Sequence, residues 1–131
     1  MAVDVIFEEG HKVNALVKGF TILTDQSIQS GGNGSAPDPF TLFLASLATC
    51  SGVYIQSFCR QRDIPSTGMS LNMDWVYDPA LKLVAKFVIN ITVPATFPEK
   101  YENALISAAA QCAVKRHLKD SITTEVRIIR T

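Results

Sequence analysis

The chain has 131 residues, enough for one domain, with 47% hydrophobic residues and a mean hydropathy of +0.19. Lys+Arg and Asp+Glu both number 12, so no field of one sign exists to hold nucleic acid or an anionic membrane. Three cysteines behind an N-terminus with no basic or apolar signal region fit reduced thiols in a cytoplasm, and the apolar excess points to surface shared with another subunit.

Residues 2–24 read as two or three short strands. Val3, Val5 and Phe7 alternate with Asp4, Glu8-Glu9-Gly10-His11 makes a turn, and Val13 to Val17 and Phe20 to Leu23 follow. Gln29 to Asp38, rich in Gly, Ser, Asn and Pro, reads as a linker. Its Gly31-Gly32-Asn33-Gly34-Ser35 run lacks the Lys-Ser/Thr of a phosphate loop, and the acid Asp38 opposes an anion at the helix start.

No residue from Pro39 to Cys59 is charged. Asp38 fits the N-cap and Pro39 the first helical position, where a missing N–H costs nothing. Apolar or small residues then surround the axis: Phe40, Leu42, Leu44, Ala48, Val53, Ile55 and Phe58 among them. Such a helix is a buried one. Its length approaches the roughly 20 residues of a membrane span. Thr41, Ser46, Thr49, Ser51, Gln56 and Ser57, together with amphipathic strands on both sides, argue for a core helix instead. It ends near Arg60-Gln61-Arg62-Asp63, and Pro65 stops any continuation.

Met69, Leu71, Met73, Trp75 and Tyr77 alternate with Ser70, Asn72 and Asp74. After a turn at Asp78-Pro79-Ala80, Leu81, Leu83, Ala85, Phe87, Ile89, Ile91 and Val93 repeat the pattern, predicting an amphipathic hairpin with one buried face. A second helix is expected from Pro98 or Glu99 to about Leu118, with Tyr101, Ala104, Leu105, Ala108 and Cys112 as its stripe. Glu99 and Glu102 in its first turn, and Lys115, Arg116, His117 and Lys119 in its last, complement the helix dipole. Thr124 to Arg130 reads as a closing strand. The order predicts an α+β fold with antiparallel sheets.

Cys50 and Cys112 both fall mid-stripe among small residues (Ala48, Thr49, Ser51 and Gly52; Ala108, Ala109, Ala110 and Ala113). Packed helix axes stand ~8–10 Å apart, whereas a disulfide wants its Cα atoms at roughly 4.4–6.8 Å, an approach that small residues permit. Cys59 lies nine residues beyond Cys50, which at about 100° per residue puts it on the opposite helix face. It reads as a bystander. Buried cysteines also serve simply as small hydrophobes. Lys115 and Arg116 lie one turn from Cys112, so local charge marks Cys112 as the more activated thiol. No metal site is expected: only His11 and His117 are present, with no Cys-x-x-Cys, and His117 reads as a helix-end cation.

Three stretches together resemble the OsmC/Ohr family (osmotically induced protein and organic hydroperoxide reductase). They are Pro37-Asp38-Pro39, the run Leu44-Ala45-Ser46-Leu47-Ala48-Thr49-Cys50, and Cys112-Ala113-Val114-Lys115-Arg116-His117-Leu118. The resemblance covers nearly the whole length and implies a single OsmC-like domain over 1–131. Antiparallel sheets would surround two central helices in an intertwined homodimer. It also implies a thiol peroxidase for organic hydroperoxides in oxidative-stress defence, without a bound cofactor. Cys50 would attack the peroxide and become a sulfenic acid, Cys112 would condense with it to a disulfide, and an external dithiol of lipoyl type would reduce the pair. On this reading the attacking sulfur is Cys50, against the local-charge reading.

Reductase members place a Glu just after the proline matched by Pro39, where this chain has Phe40 and Thr41. They also use an Arg from the N-terminal strands, and no Arg precedes Arg60 here. Lys12 or Lys18 is the N-terminal substitute, without the bidentate fork, and Arg116 is the candidate for lowering the pKa of Cys50. Where relatives often carry Pro after the second cysteine, this chain has Ala113. Phe43, Leu47 and Tyr54 form the expected apolar approach to Cys50, favouring bulky alkyl hydroperoxides over hydrogen peroxide. The alternative is a non-catalytic dimeric OsmC-like stress or binding protein with an apolar pocket at the helix interface.

Overall fold

The N-terminal alternation pairs as an antiparallel sheet of three short strands, β1 (Asp4–Phe7), β2 (Val13–Val17) and β3 (Phe20–Ile22) in that order. Opposed residues run Asp4 to Leu16, Val5 to Ala15 and Phe7 to Val13, then Ala15 to Ile22 and Val17 to Phe20. Lys18 closes the β2–β3 turn at φ 50. The computed structural model describes residues 2–118, 125 and 127–129. Expected as one domain, the chain divides by its contacts into two compact units, one ending at Ala45 and one beginning at Ser46.

The segment read as a linker is a built loop. Asp25, fully buried, accepts hydrogen bonds from the amide of Gln26 at 2.8 Å, the amide of Ser35 at 3.0 Å and the hydroxyl of Ser35 at 2.6 Å. The Ser35 hydroxyl is the main cause that holds its carboxyl down at about 2. A Cβ on Gly32 would come within 2.2 Å of the Gln26 carbonyl oxygen, so only glycine fits that crossing.

Helix α1 runs Pro39–Gln61 and starts as the sequence predicts, with the Asp38 carboxylate accepting from the Thr41 amide at 2.7 Å. At its end Asp63 adopts φ 52 while the Ile64 amide donates back to Cys59 at 2.9 Å, the left-handed stop that usually takes glycine. By length and composition α1 could cross a membrane, and it buries Leu47, Ser51, Ile55, Phe58 and Cys59 inside the protein. The expectation of burial on all sides is corrected by Val53, which is 62% exposed.

Strands β4 (Ser70–Asp78) and β5 (Leu83–Thr92) form the predicted hairpin, opposing Leu71 to Ile91, Met73 to Ile89 and Trp75 to Phe87. The Asp78 carboxylate seats the turn by accepting from the amides of Ala80 and Leu81. An irregularity at Val76/Tyr77 sets Val84, rather than Ala85, opposite Tyr77. One extra residue thus breaks the predicted alternation near the turn. The core gathers Ile55, Phe58 and Cys59 of α1 with Phe97, Leu105 and Ala109, flanked by Met69, Leu71, Ile91 and Val93.

The expected continuous second helix is divided. A 3-10 turn (Glu99–Tyr101) leads into α2 (Glu102–Ala110), and α3 (Ala113–Arg116) follows after an interruption at Gln111 and Cys112. The predicted strand from Thr124 to Arg130 lies largely outside the described residues, and no strand includes residues 125 or 127–129.

Candidate functional site

Cys112 stands at the interruption, extended at φ −45 and ψ 125, as the cap residue of α3. In an uninterrupted α-helix each amide bonds to the carbonyl four residues back, so Ala113 would use Ala109 and Val114 would use Ala110. Here α2 closes instead with Gln111 donating to Ala108 at 3.1 Å, and α3 restarts with Arg116 donating to Cys112 at 3.0 Å. The freed Ala109 carbonyl accepts the Ser51 hydroxyl at 3.2 Å. The freed amides of Ala113 and Val114 act on the sulfur of Cys50 and lower its pKa. One break thus supplies both the acceptor and the donors for consecutive residues of α1.

The two cysteines named from the sequence are brought together, and all three cysteines of the chain are free thiols. Cys112 is fully buried, while Cys50 is partly buried. The Cys112 thiol is the main cause that holds the Cys50 pKa below the ordinary thiol value. The Val114 amide adds to this, burial opposes it, and the Ala113 amide and the Lys115 charge contribute further lowering. The sequence reading set Lys115 and Arg116 beside Cys112, and in the fold the Lys115 charge reaches Cys50. Lys115 acts on Cys50 because the interruption turns α3 toward α1.

Other predicted residues are placed differently. Arg116 is exposed, and the cation acting on Cys50 is its neighbour Lys115. Lys18 is exposed in the β2–β3 turn of the N-terminal unit, to which Phe43 also belongs. Leu47 is fully buried and so packs rather than lines a path. Tyr54 does border open space, a cavity of about 550 Å³ that it shares with Phe58, Arg62, Ala104, Ser107 and Gln111. The Arg62 guanidinium lies 3.7 Å above the Phe58 ring there. His117 caps α3 through Nδ1, 2.6 Å from the Ala113 carbonyl oxygen. Among the described residues no group of three or more His, Cys, Asp or Glu could hold a metal ion.

Cys59 is the bystander that helix geometry predicts. It is 1% exposed, directs its thiol to the Met69 sulfur at 3.7 Å, and burial pushes its pKa up. Sequence reasoning missed Ser51. The available signal was a hydroxyl beside the reactive cysteine on an otherwise apolar helix.

Solved structures share this arrangement of helices and antiparallel sheets. An osmotic stress induced and detoxification response protein from Psychrobacter arcticus superposes with a TM-score of 0.73 at 24% identity, over 89% of this chain and 87% of that one. An organic hydroperoxide resistance protein from Vibrio cholerae, holding captopril in one of its active sites, gives 0.56 at 16% identity, over 91% and 85%. The Bacillus subtilis organic hydroperoxide resistance protein OhrB gives 0.54 at 14%, over 91% of each chain. No curated protein sequence matches the chain. Residues 32–127, most of its length, match the family described as OsmC-like protein. With that match and the shared fold, the chain belongs to the OsmC-like protein family.

Proposed function

We propose that this protein is a cytoplasmic thiol peroxidase that reduces organic hydroperoxides through Cys50 and Cys112. The observation that carries this reading is the juxtaposition of Cys112 and the helix break with Cys50, where the Cys112 thiol and the Val114 and Ala113 amides lower the Cys50 pKa. A thiolate is the nucleophile such chemistry needs, and these donors favour it. The Cys50 thiolate attacks the outer peroxide oxygen. An S–O bond forms as the O–O bond breaks, and the departing alkoxide takes a proton to leave as the alcohol. The Cys112 sulfur then displaces hydroxide from the sulfenic acid, releasing water and forming a disulfide. An external dithiol, such as a lipoyl group, restores both thiols and is itself oxidised to a disulfide.

A homodimer is part of the proposal. Phe40 is 50% and Val53 62% exposed on α1, apolar surface that a second copy would cover. Sedimentation at low micromolar concentration is expected to give a dimer, and a well-folded monomer would remove this part. The activity is tested with cumene hydroperoxide and a dihydrolipoyl reductant. Turnover above that with hydrogen peroxide is expected. Neither turnover nor any adduct or disulfide at Cys50 under excess hydroperoxide would leave the non-catalytic binding reading.

A further inference from the structure

Ser51 follows Cys50 in α1 and is fully buried. Helical serines ordinarily satisfy their hydroxyl on a carbonyl of their own preceding turn. Ser51 instead donates across to Ala109, 3.2 Å away and 58 positions on in sequence. Its oxygen accepts the Lys115 ammonium at 3.0 Å. Lys115 is partly buried, and its flexible stem would otherwise carry the charge out to water. Both partners of Ser51 depend on the same interruption. It frees the Ala109 carbonyl and starts the turn from which Lys115 projects.

We propose that Ser51 is a positioning residue that fixes the Lys115 ammonium beside the Cys50 sulfur, so that a held cation favours its thiolate. The inference rests on the peroxidase reading for its purpose, not for its test. A charge fixed at a protein wall acts several-fold more strongly than one in open water. The groups acting on the sulfur are the Cys112 thiol, the amides of Val114 and Ala113, and Lys115. The other basic groups of the α3 turn are Arg116, which is exposed, and His117, which bonds the Ala113 carbonyl.

The test is alkylation of the fully reduced protein by iodoacetamide across pH, without peroxide, with mass spectrometry following Cys50. Lys115→Gln is expected to slow Cys50 alkylation at neutral pH a fewfold and move the profile to higher pH, since the thiolate is the reacting form. Ser51→Ala should move it the same way with the lysine still present. The double variant should be no slower than Lys115→Gln alone, because both changes remove one interaction. Lys115→Arg should restore most of the rate. An unchanged profile in folded Ser51→Ala, or effects that multiply in the double variant, would overturn the proposal. Should Ser51→Ala fail to fold, Lys115→Gln decides. An unmoved profile overturns the proposal, and a moved one that Lys115→Arg restores supports it. Wild-type protein without hydroperoxide turnover but with these shifts would reject the peroxidase reading and leave the Ser51–Lys115 pair standing.

Discussion

Cys50 and Cys59 share one largely apolar helix and face opposite ways, and their thiols are driven in opposite directions. At Cys50 the Cys112 thiol, two amides and a lysine favour the charged form. At Cys59 burial disfavours it, and the nearby Arg62 charge only partly offsets that. The helix itself supplies neither effect. A cysteine mid-helix has its own turn's amides already engaged, so activation has to come from another segment. Where α2 breaks, the second segment offers free donors. Where α2 is intact, around Leu105, it offers only hydrocarbon and closes the core around Cys59.

The largest expected effect separates the two thiols directly. Cys50→Ser should cut the rate of neutral-pH alkylation of the native protein roughly a hundredfold, since both remaining thiols are buried. Cys59→Ser should leave that rate, and any Cys50–Cys112 disulfide, unchanged. Peptide mapping of oxidised protein that found Cys59 bridged to Cys50 would break the comparison outright. The closed side can also be opened. Leu105 is 2% exposed in the core cluster with Cys59, so Leu105→Ala should cost about 2–5 kcal/mol of stability in denaturant unfolding. It should also make Cys59 reactive while Cys50 keeps its rate.

On the activated side, Cys112→Ala removes the first of the donors to Cys50. Hydrogen bonds to charged groups contribute about 1.5–3 kcal/mol, so Cys50 alkylation at neutral pH should slow roughly tenfold or more. Cys112→Ser, which keeps a donor, should lose less, and on the peroxidase reading it should trap a sulfenic acid on Cys50 under alkyl hydroperoxide. Sulfenic acid formed instead on Cys112 of the Cys50→Ser protein, at wild-type rate, would reverse the roles.

Stability against pH sharpens the contrast further. An unfolded thiol ionises near 9.0. Cys50, lowered in the folded state, gives up its proton before the unfolded chain does. Its contribution therefore grows as pH rises toward 9.0 and is lost as pH falls through its folded pKa. Cys59, raised in the folded state, keeps its proton after the unfolded chain has lost it, so stability falls as pH climbs above 9.0. In urea titrations Cys50→Ser should flatten the rise below 9.0 and Cys59→Ser the fall above it.

The smallest effect concerns the break. Ala113 is the first residue of α3, a position that tolerates proline, and Cys112 before it is already extended. Ala113→Pro removes one of the two amides on Cys50, and a fewfold slower alkylation is expected with little change in melting temperature. A large loss of stability would mean that the interruption is not the conformation assigned here.

Much of the fold was legible locally. Asp38 and Pro39 start α1 through short-range backbone chemistry, Asp78 seats the hairpin turn, and period-two alternation marks β4 and most of β5. The alternation fails near Tyr77, where an extra residue changes the pairing without any glycine or proline to announce it. The linker reading of Gln29 to Asp38 missed the bond from Ser35 to Asp25 because the two lie ten positions apart, across a loop that polar composition alone cannot close. Of the site, the two cysteines were visible as buried thiols among small residues. The opposite facing of Cys59 followed from helix geometry alone.

The sequence by itself therefore determined the five strands, α1, their order and the separation of Cys59 from Cys50, because capping, periodicity and helical rotation act over a few neighbouring residues. It did not determine the break at Gln111 and Cys112, since Gln-Cys-Ala-Val is compatible with continued helix. Nor did it determine which thiol Lys115 serves. The tertiary structure decided both. The carbonyl of Ala109 bonds Ser51, and the amides of Ala113 and Val114 act on Cys50, of another helix, and no local pattern records interactions between segments some 60 residues apart.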